Sequence, residues 1–202
     1  MARTKGSVGA TTQKAILDAA KTLIVKHGFE AMTLRQLAAE VGVQPASIYR
    51  YIDSKDALLA ALMSTHMDAL ICAWEALEDK GKTPDEQLEA FVAFHIRYHV
   101  ERREDVFIAN MELRSLGEAA RADVVAKRRA YELNLWRILE EGVKTGDFPE
   151  TDLEVATYAI LAMLTGVCFW YRPDGRLSIE QIIAVHQGLV MRGVVSGALQ
   201  AV

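Results

Sequence analysis

The stretch Leu34 to Asp53, LRQLAAEVGVQPASIYRYID, reads as two short helices crossing through a tight turn. Ala38 falls where the two helices approach most closely, a place for a small side chain only. Gly42 follows four residues later, where the chain turns and a positive φ is needed that a residue with a Cβ resists. Leu37, Val41, Val43, Ile48 and Tyr51 supply the apolar positions that hold the pair together, and Gln44, Ala46, Ser47, Tyr49 and Arg50 are left to face outward. A plain helical hairpin with a glycine turn satisfies part of this pattern. A helix-turn-helix satisfies all of it, within the basic N-terminal part of the chain.

Working outward, the first helix is expected from Thr12 to His27, with Ile16, Ala19, Ala20 and Leu23 on one face and Gly28 as its stop. Thr33 is placed to cap the second helix, which runs to about Glu40. Pro45 suits the first turn of the third, expected to end near Ile52, because its missing N–H would be unpaired there anyway. Ser54 caps a long fourth helix from Lys55 to about Glu78. Beyond it the spacing predicts helices over 84–100, 105–111, 118–144, 153–171 and 179–198, with Pro149, Pro173 and Gly175 marking loops. No five-residue run alternates like a half-buried strand, so the fold class is all-α with about nine helices.

The formal charge of −4 by itself opposes nucleic-acid binding, yet its distribution favours it. Residues 1–55 hold eight Lys or Arg against four acids, and the remainder holds 15 against 23. A small basic module is thus joined to an acidic body, and the boundary is expected at residue 55: a DNA-binding domain over 1–55, an effector-binding and dimerisation domain over 56–202. The longest apolar run, Tyr158 to Tyr171, is shorter than the ~20 residues that cross a bilayer. The N-terminus has no apolar stretch of signal-peptide type before Ile16, so no membrane partner and a cytoplasmic location are expected. Cys72 and Cys168 stand alone in apolar runs and read as reduced core thiols.

The segment TTQKAILDAAKTLIVKHGFEAMTLRQLAAEVGVQPASIYRYIDSKDALLAAL resembles the N-terminal domain of tetracycline-repressor-like (TetR/AcrR) regulators. The likeness covers about the first quarter of the chain and includes Gly28-Phe29, Thr33, the Ala38 to Gly42 turn, Ser47-Ile48-Tyr49 and Ser54-Lys55. Two departures are Gln44, where the family often carries a better capping residue, and Ile52, where phenylalanine is common. The resemblance implies a three-helix domain whose third helix enters the major groove, one half-site per subunit of a homodimer on a palindromic double-stranded operator. Arg50 then suits phosphate or guanine, Gln44 a base edge and Ala46 a thymine methyl, with Ser47 on the same outward face. Thr33, Tyr49 and Lys55 suit phosphates, Lys55 at a helix start whose N–H groups favour the same anion; Arg35 is intermediate, and Lys14 and Lys21 read equally well as solubilising charge.

The acidic body is larger than a DNA-binding module needs for folding, so it is assigned to dimerisation and sensing. Leu161, Thr165, Phe169, Ile182, His186, Leu189, Val190 and Gly193 combine apolar and small residues at helical spacing, and the family implies a four-helix interface there; packing within one chain is the plain alternative. Met63, Met67, Trp74, Phe91, Phe94, His95, Tyr98, Phe107, Met111, Tyr131, Trp136, Met163 and Trp170 are bulky or adaptable enough to line an apolar effector pocket, although such residues also make ordinary core. The C-terminal part, with Phe169-Trp170-Tyr171-Arg172-Pro173-Asp174-Gly175, resembles the branch that answers to acyl-CoA thioesters, which implies a hydrophobic effector with Arg121 and Arg128 meeting its phosphates. His95 and His99, one turn apart, have the spacing of two metal ligands, but no third ligand is set by spacing; no metal and no cofactor are expected. No nucleophile elbow, paired-cysteine motif or phosphate-cradling glycine loop occurs, so the chain is not expected to be an enzyme. A helical metal-assisted enzyme using His95 and His99, or a ligand-independent DNA binder, are the competing readings.

Overall fold

The computed structural model describes the backbone of residues 5–77 and 81–195, and the side chains of 11–77 and 81–193. Among these residues the chain forms helices α1 (Lys5–His27), α2 (Leu34–Val41), α3 (Pro45–Ile48), α4 (Lys55–Glu75), α5 (Pro84–Glu101), α6 (Arg103–Met111), α7 (Glu118–Thr145), α8 (Leu153–Trp170) and α9 (Ile179–Val195), with a 3-10 turn at Leu113–Ser115. The expected order of helices is met. The third ends four residues sooner than expected and gives way to turns, α4 stops at Glu75, and the expected end of the last helix near Ala198 lies outside the described residues.

The chain divides into two compact units, and the division does not follow residue 55. The first comprises the described residues up to Met67 together with Glu104–Ala126; the second comprises Asp68–Arg103 and the described residues from Lys127 onward. In the first, α1 buries Ile16, Ala20 and Ile24, and ends at Gly28, whose φ of 82° stops the helix. Thr33 and Gln36 form a reciprocal cap on α2: Gln36 N donates to Thr33 Oγ1 at 3.2 Å, and Thr33 N donates to Gln36 Oε1 at 2.9 Å. Gly42, at φ 72°, lets its own N–H reach Ala39 O and the Val43 N–H reach Ala38 O, so the last carbonyls of α2 are satisfied as the chain turns. Ser54 Oγ accepts from Ala57 N at 3.0 Å and starts α4, which buries Leu58, Leu59 and Leu62.

Two polar ties explain why α6 belongs with the N-terminal helices. Lys21 Nζ lies 3.1 Å from Asp105 Oδ1, and the Phe29 N–H donates to Glu112 Oε1 at 3.1 Å. Glu112 Oε2 in turn accepts from Ser115 Oγ at 3.0 Å, so the carboxylate has both oxygens engaged.

In the second unit α5 packs against α8 and α9. Thr83 and Glu86 cap α5 reciprocally, and Asp152 Oδ1 accepts from Glu154 N and Val155 N at the start of α8. Phe91, Val92, Ile96, Leu135, Leu139, Leu164 and Val167 are fully buried. α7 ends at Gly146, φ 81°, and the chain folds back so that the Phe148 ring lies on Gly142; a Cβ at Gly142 would stand 2.0 Å from that ring. Of the two cysteines, Cys168 is buried as expected and Cys72 is exposed, because it falls on the solvent side of α4.

Candidate nucleic-acid interface and ligand core

The residues predicted from sequence to read DNA lie in the first unit, on α2, its turn and α3 and the residues just after α3, with Thr33 before α2 and Lys55 at the start of α4. Gln44 is the N-cap of α3 and exposed, and its side chain makes no capping hydrogen bond, which leaves the whole amide available to a base edge. Ala46, Tyr49 and Arg50 are exposed, Tyr49 to 60%, and Ser47 is half-buried. Ile48 between them is fully buried and anchors the short helix to the module. Arg35 is exposed on α2. Thr33 is exposed, but its hydroxyl is committed to the α2 cap. Lys55 is likewise employed: Nζ donates to Glu30 O at 2.9 Å and lies 4.4 Å over the Phe29 ring, so it braces the α1–α2 turn. Lys21, read from sequence as ordinary surface charge, is paired with Asp105. Glu112 was not legible as part of this module, since it lies 83 positions from Phe29 and no local pattern marks it.

The predicted effector residues are not brought together in one place. Met63 and Met67 are buried residues of the first unit. Phe107, Met111 and Arg121, also of the first unit, line an open groove of about 600 Å³ with Asn110, Glu112, Leu113 and Arg114. Trp74, Phe91, Phe94, His95, Tyr98 and Tyr131 gather in the second unit as one ring cluster. Trp74 meets Phe91 edge-on at 4.9 Å and Phe94 at 5.4 Å; Phe91 stacks on Tyr131 at 5.6 Å; Phe94 meets Tyr98 at 5.4 Å. Met163 is half-buried, while Trp170 is 54% exposed and outside the cluster. Trp136 is also outside it, in a shallow groove of about 380 Å³ with Arg129, Glu132 and Tyr158. Arg128 is half-buried in the second unit, and Arg121 belongs to the first. Burial lowers the Arg128 pKa, against the opposing pull of Glu132.

His95 sits within the ring cluster, fully buried. Its Nδ1 is 3.0 Å from the Tyr131 hydroxyl and its Nε2 is 3.0 Å from Thr165 Oγ1. Burial, reinforced by neighbouring His99, holds His95 well below the ordinary histidine pKa, so the ring is neutral. Burial likewise pushes the Tyr131 hydroxyl well above the usual tyrosine range, with Tyr98 adding to the effect. His99 lies one turn further along α5. It is buried, donates from Nδ1 to the His95 carbonyl at 2.9 Å, and stacks on the His95 ring at 3.8 Å. Both histidines are therefore committed to internal hydrogen bonds, and no group of three His, Cys, Asp or Glu side chains able to hold a metal gathers among the described residues.

The expected dimer residues also sort by face. Ile182, His186 and Val190 are buried within the second unit, and half-buried Thr165 has its hydroxyl on His95. Leu161 and Gly193 are half-buried. Phe169 and Leu189 are exposed, and with Val155, Tyr158, Trp170 and Val185 they form an apolar surface on α8 and α9. Both α4 and α8 are long and apolar enough to cross a bilayer; in α8, only 33% of that stretch is buried.

Comparison with known proteins agrees with this arrangement. Residues 16–62 match the family described as bacterial regulatory proteins of the tetR family, and residues 81–194 match the tetracyclin repressor-like C-terminal domain. The HTH-type transcriptional repressor KstR2 of Mycolicibacterium smegmatis is 27% identical over 197 residues, covering 96% of both chains. Among solved structures, the TetR-family regulator PfmR from Thermus thermophilus is 32% identical with a TM-score of 0.79, covering 88% of this chain and 97% of that one. AibR, solved in complex with isovaleryl coenzyme A and operator DNA, is 27% identical with a TM-score of 0.79 and the same coverage. With both of its domains matched along most of its length, the chain belongs to the TetR family of bacterial regulatory proteins.

Proposed function

We propose that the protein is a homodimeric transcriptional repressor that reads a palindromic operator with α3 and leaves it when an acyl-CoA thioester is bound. The observation that carries the DNA-binding part is the α3 face itself. Gln44, Ala46, Tyr49 and Arg50 stand exposed around a buried Ile48, a set of polar and apolar tips suited to base edges rather than to a core. Arg35 and Ser47 flank this face, and Thr33 and Lys55 keep it in place. The apolar surface of α8 and α9 supplies the dimer contact, through Phe169 and Leu189 from the residues expected and Val155, Tyr158, Trp170 and Val185 beside them. A dimer is needed because one short helix contacts too few base pairs for a specific site.

The aromatic cluster of the second unit supports a hydrophobic effector, and the AibR complex with isovaleryl coenzyme A and operator DNA supports its chemical class. Ligand and operator then exclude each other, and by linkage each weakens the other's binding by the same factor. In this role the chain catalyses no reaction and works beside the chromosome in the cytoplasm.

The test is selection of bound sites from random duplexes by the full-length protein, followed by titration of the selected duplex with isovaleryl-CoA and octanoyl-CoA. A palindromic consensus, salt-dependent binding and release by a thioester are expected. Binding without any sequence preference would overturn the reading, as would a thioester affinity unchanged by saturating operator.

A further inference from the structure

The interior of the second unit holds more hydrogen-bond donors than the protein uses. On α7, Tyr131 and Asn134 are three residues apart, which makes them neighbours on one helix face about 4.5 Å apart along the axis. The side-chain nitrogen of Asn134 is buried and has no hydrogen-bond partner among the described residues. Such a group is costly to leave unmade and is rare in folded proteins, so it asks for an explanation.

A hydroxyl chain that begins at Tyr131 has its own surplus. Tyr131, His95 and Thr165 are joined by two hydrogen bonds, both 3.0 Å. A neutral imidazole carries one N–H and one bare nitrogen. The three groups therefore bring three protons to two hydrogen bonds, whichever tautomer His95 adopts. If Tyr131 donates to Nδ1, then Nε2–H donates to Thr165 and the Thr165 proton is spare; in the other tautomer the Tyr131 proton is spare.

We infer that the second unit recognises a neutral carbonyl oxygen of its effector, with the Asn134 amide and the spare hydroxyl proton of the Tyr131–His95–Thr165 chain as its donors. A carbonyl fits because it offers two acceptor lone pairs and no proton. It also carries no charge, so it escapes the burial penalty that keeps His95 itself unprotonated. The rings of Trp74, Phe91 and Phe94 beside the chain suit an aliphatic group attached to that carbonyl, as in an acyl thioester. This assignment rests on the second unit being the effector-binding part of a regulator, and it adds which atom of the effector is read.

The test uses the full-length protein with isovaleryl-CoA and octanoyl-CoA, each paired with a thioether analogue in which a methylene replaces the thioester carbonyl. Calorimetric titration is expected to show the thioether binding wild-type protein about tenfold more weakly, a difference of about 1.4 kcal/mol. Asn134→Leu should weaken thioester binding by a similar factor and bring the two ligands close together. Without ligand, the same variant should melt no lower than wild type, because the substitution removes an unmade donor rather than a used one. Equal binding of thioester and thioether to wild-type protein would overturn the inference while leaving a thioester-released repressor intact. A lower melting temperature for Asn134→Leu with thioester preference retained would also overturn it, since the amide would then be structural. Failure of every thioester to bind would overturn both this inference and the effector class above it.

Discussion

Replacing Gly42 by alanine isolates the turn on which the DNA-reading geometry rests. Gly42 holds φ at 72° and ψ at 28°, and a Cβ built there meets no atom within 4 Å. Crowding therefore contributes nothing, and the cost is that of the backbone alone. A residue with a Cβ loses about 1–2 kcal/mol in the left-handed region. Alanine regains about 0.4–1 kcal/mol by restricting the unfolded chain. The net loss is about 1 kcal/mol if the turn keeps its conformation. The module has a second response, which is to relax φ and swing α3 against α2 in the free protein. The strain then returns when DNA demands the original geometry, and affinity rather than stability bears the loss. Urea unfolding followed by circular dichroism reads the first quantity, and fluorescence anisotropy on a labelled operator duplex reads the second. Between them Gly42→Ala should lose about 1 kcal/mol, seen as a lower midpoint or an affinity reduced about fivefold. Gly42→Asn should recover most of it, since asparagine tolerates this region better. An alanine variant with both midpoint and affinity unchanged would refute the claim that the turn requires a positive φ.

Two further outcomes follow from the second unit. His95 is neutral in the native protein because burial and His99 depress its pKa, whereas the unfolded chain protonates it near the ordinary value of about 6.5. The unfolded state thus binds the extra proton below that pH, and stability should fall with acidification from about pH 6.5 downward, by up to about 1.4 kcal/mol per pH unit. His95→Gln should make that acid limb shallower by one proton in urea titrations across pH, and an unaltered limb would show that His95 is not the group responsible. Leu189 is 47% exposed on α9, so Leu189→Arg should leave helicity intact while sedimentation velocity shows monomers and operator binding weakens sharply. A Leu189→Arg protein that remains dimeric would remove α9 from the interface.

Much of the first module was legible in the sequence because its determinants act over a few residues. Thr33, the glycines at 28 and 42, Pro45 and Ser54 each set a local backbone state, and a local state is readable from neighbours along the chain. The outward set from Gln44 to Arg50 followed once Ile48 was recognised as the buried member between them.

What tertiary structure alone decided is which of several equally apolar or polar residues met a partner far away in the chain. α8 is apolar nearly all the way round, so periodicity did not separate the face that packs on α5 from the exposed face; folding put Leu164 and Val167 inside and Phe169 and Trp170 outside. Likewise α9 turned Ile182, His186 and Val190 inward and left Val185 and Leu189 in solvent. The tie from Glu112 to Phe29 and the bridge from Tyr131 through His95 to Thr165 join residues 83, 36 and 70 positions apart. Capping and turn preferences are short-range energies carried by single residues, whereas burial and long-range hydrogen bonds are properties of pairs, which come into being only when the chain has folded.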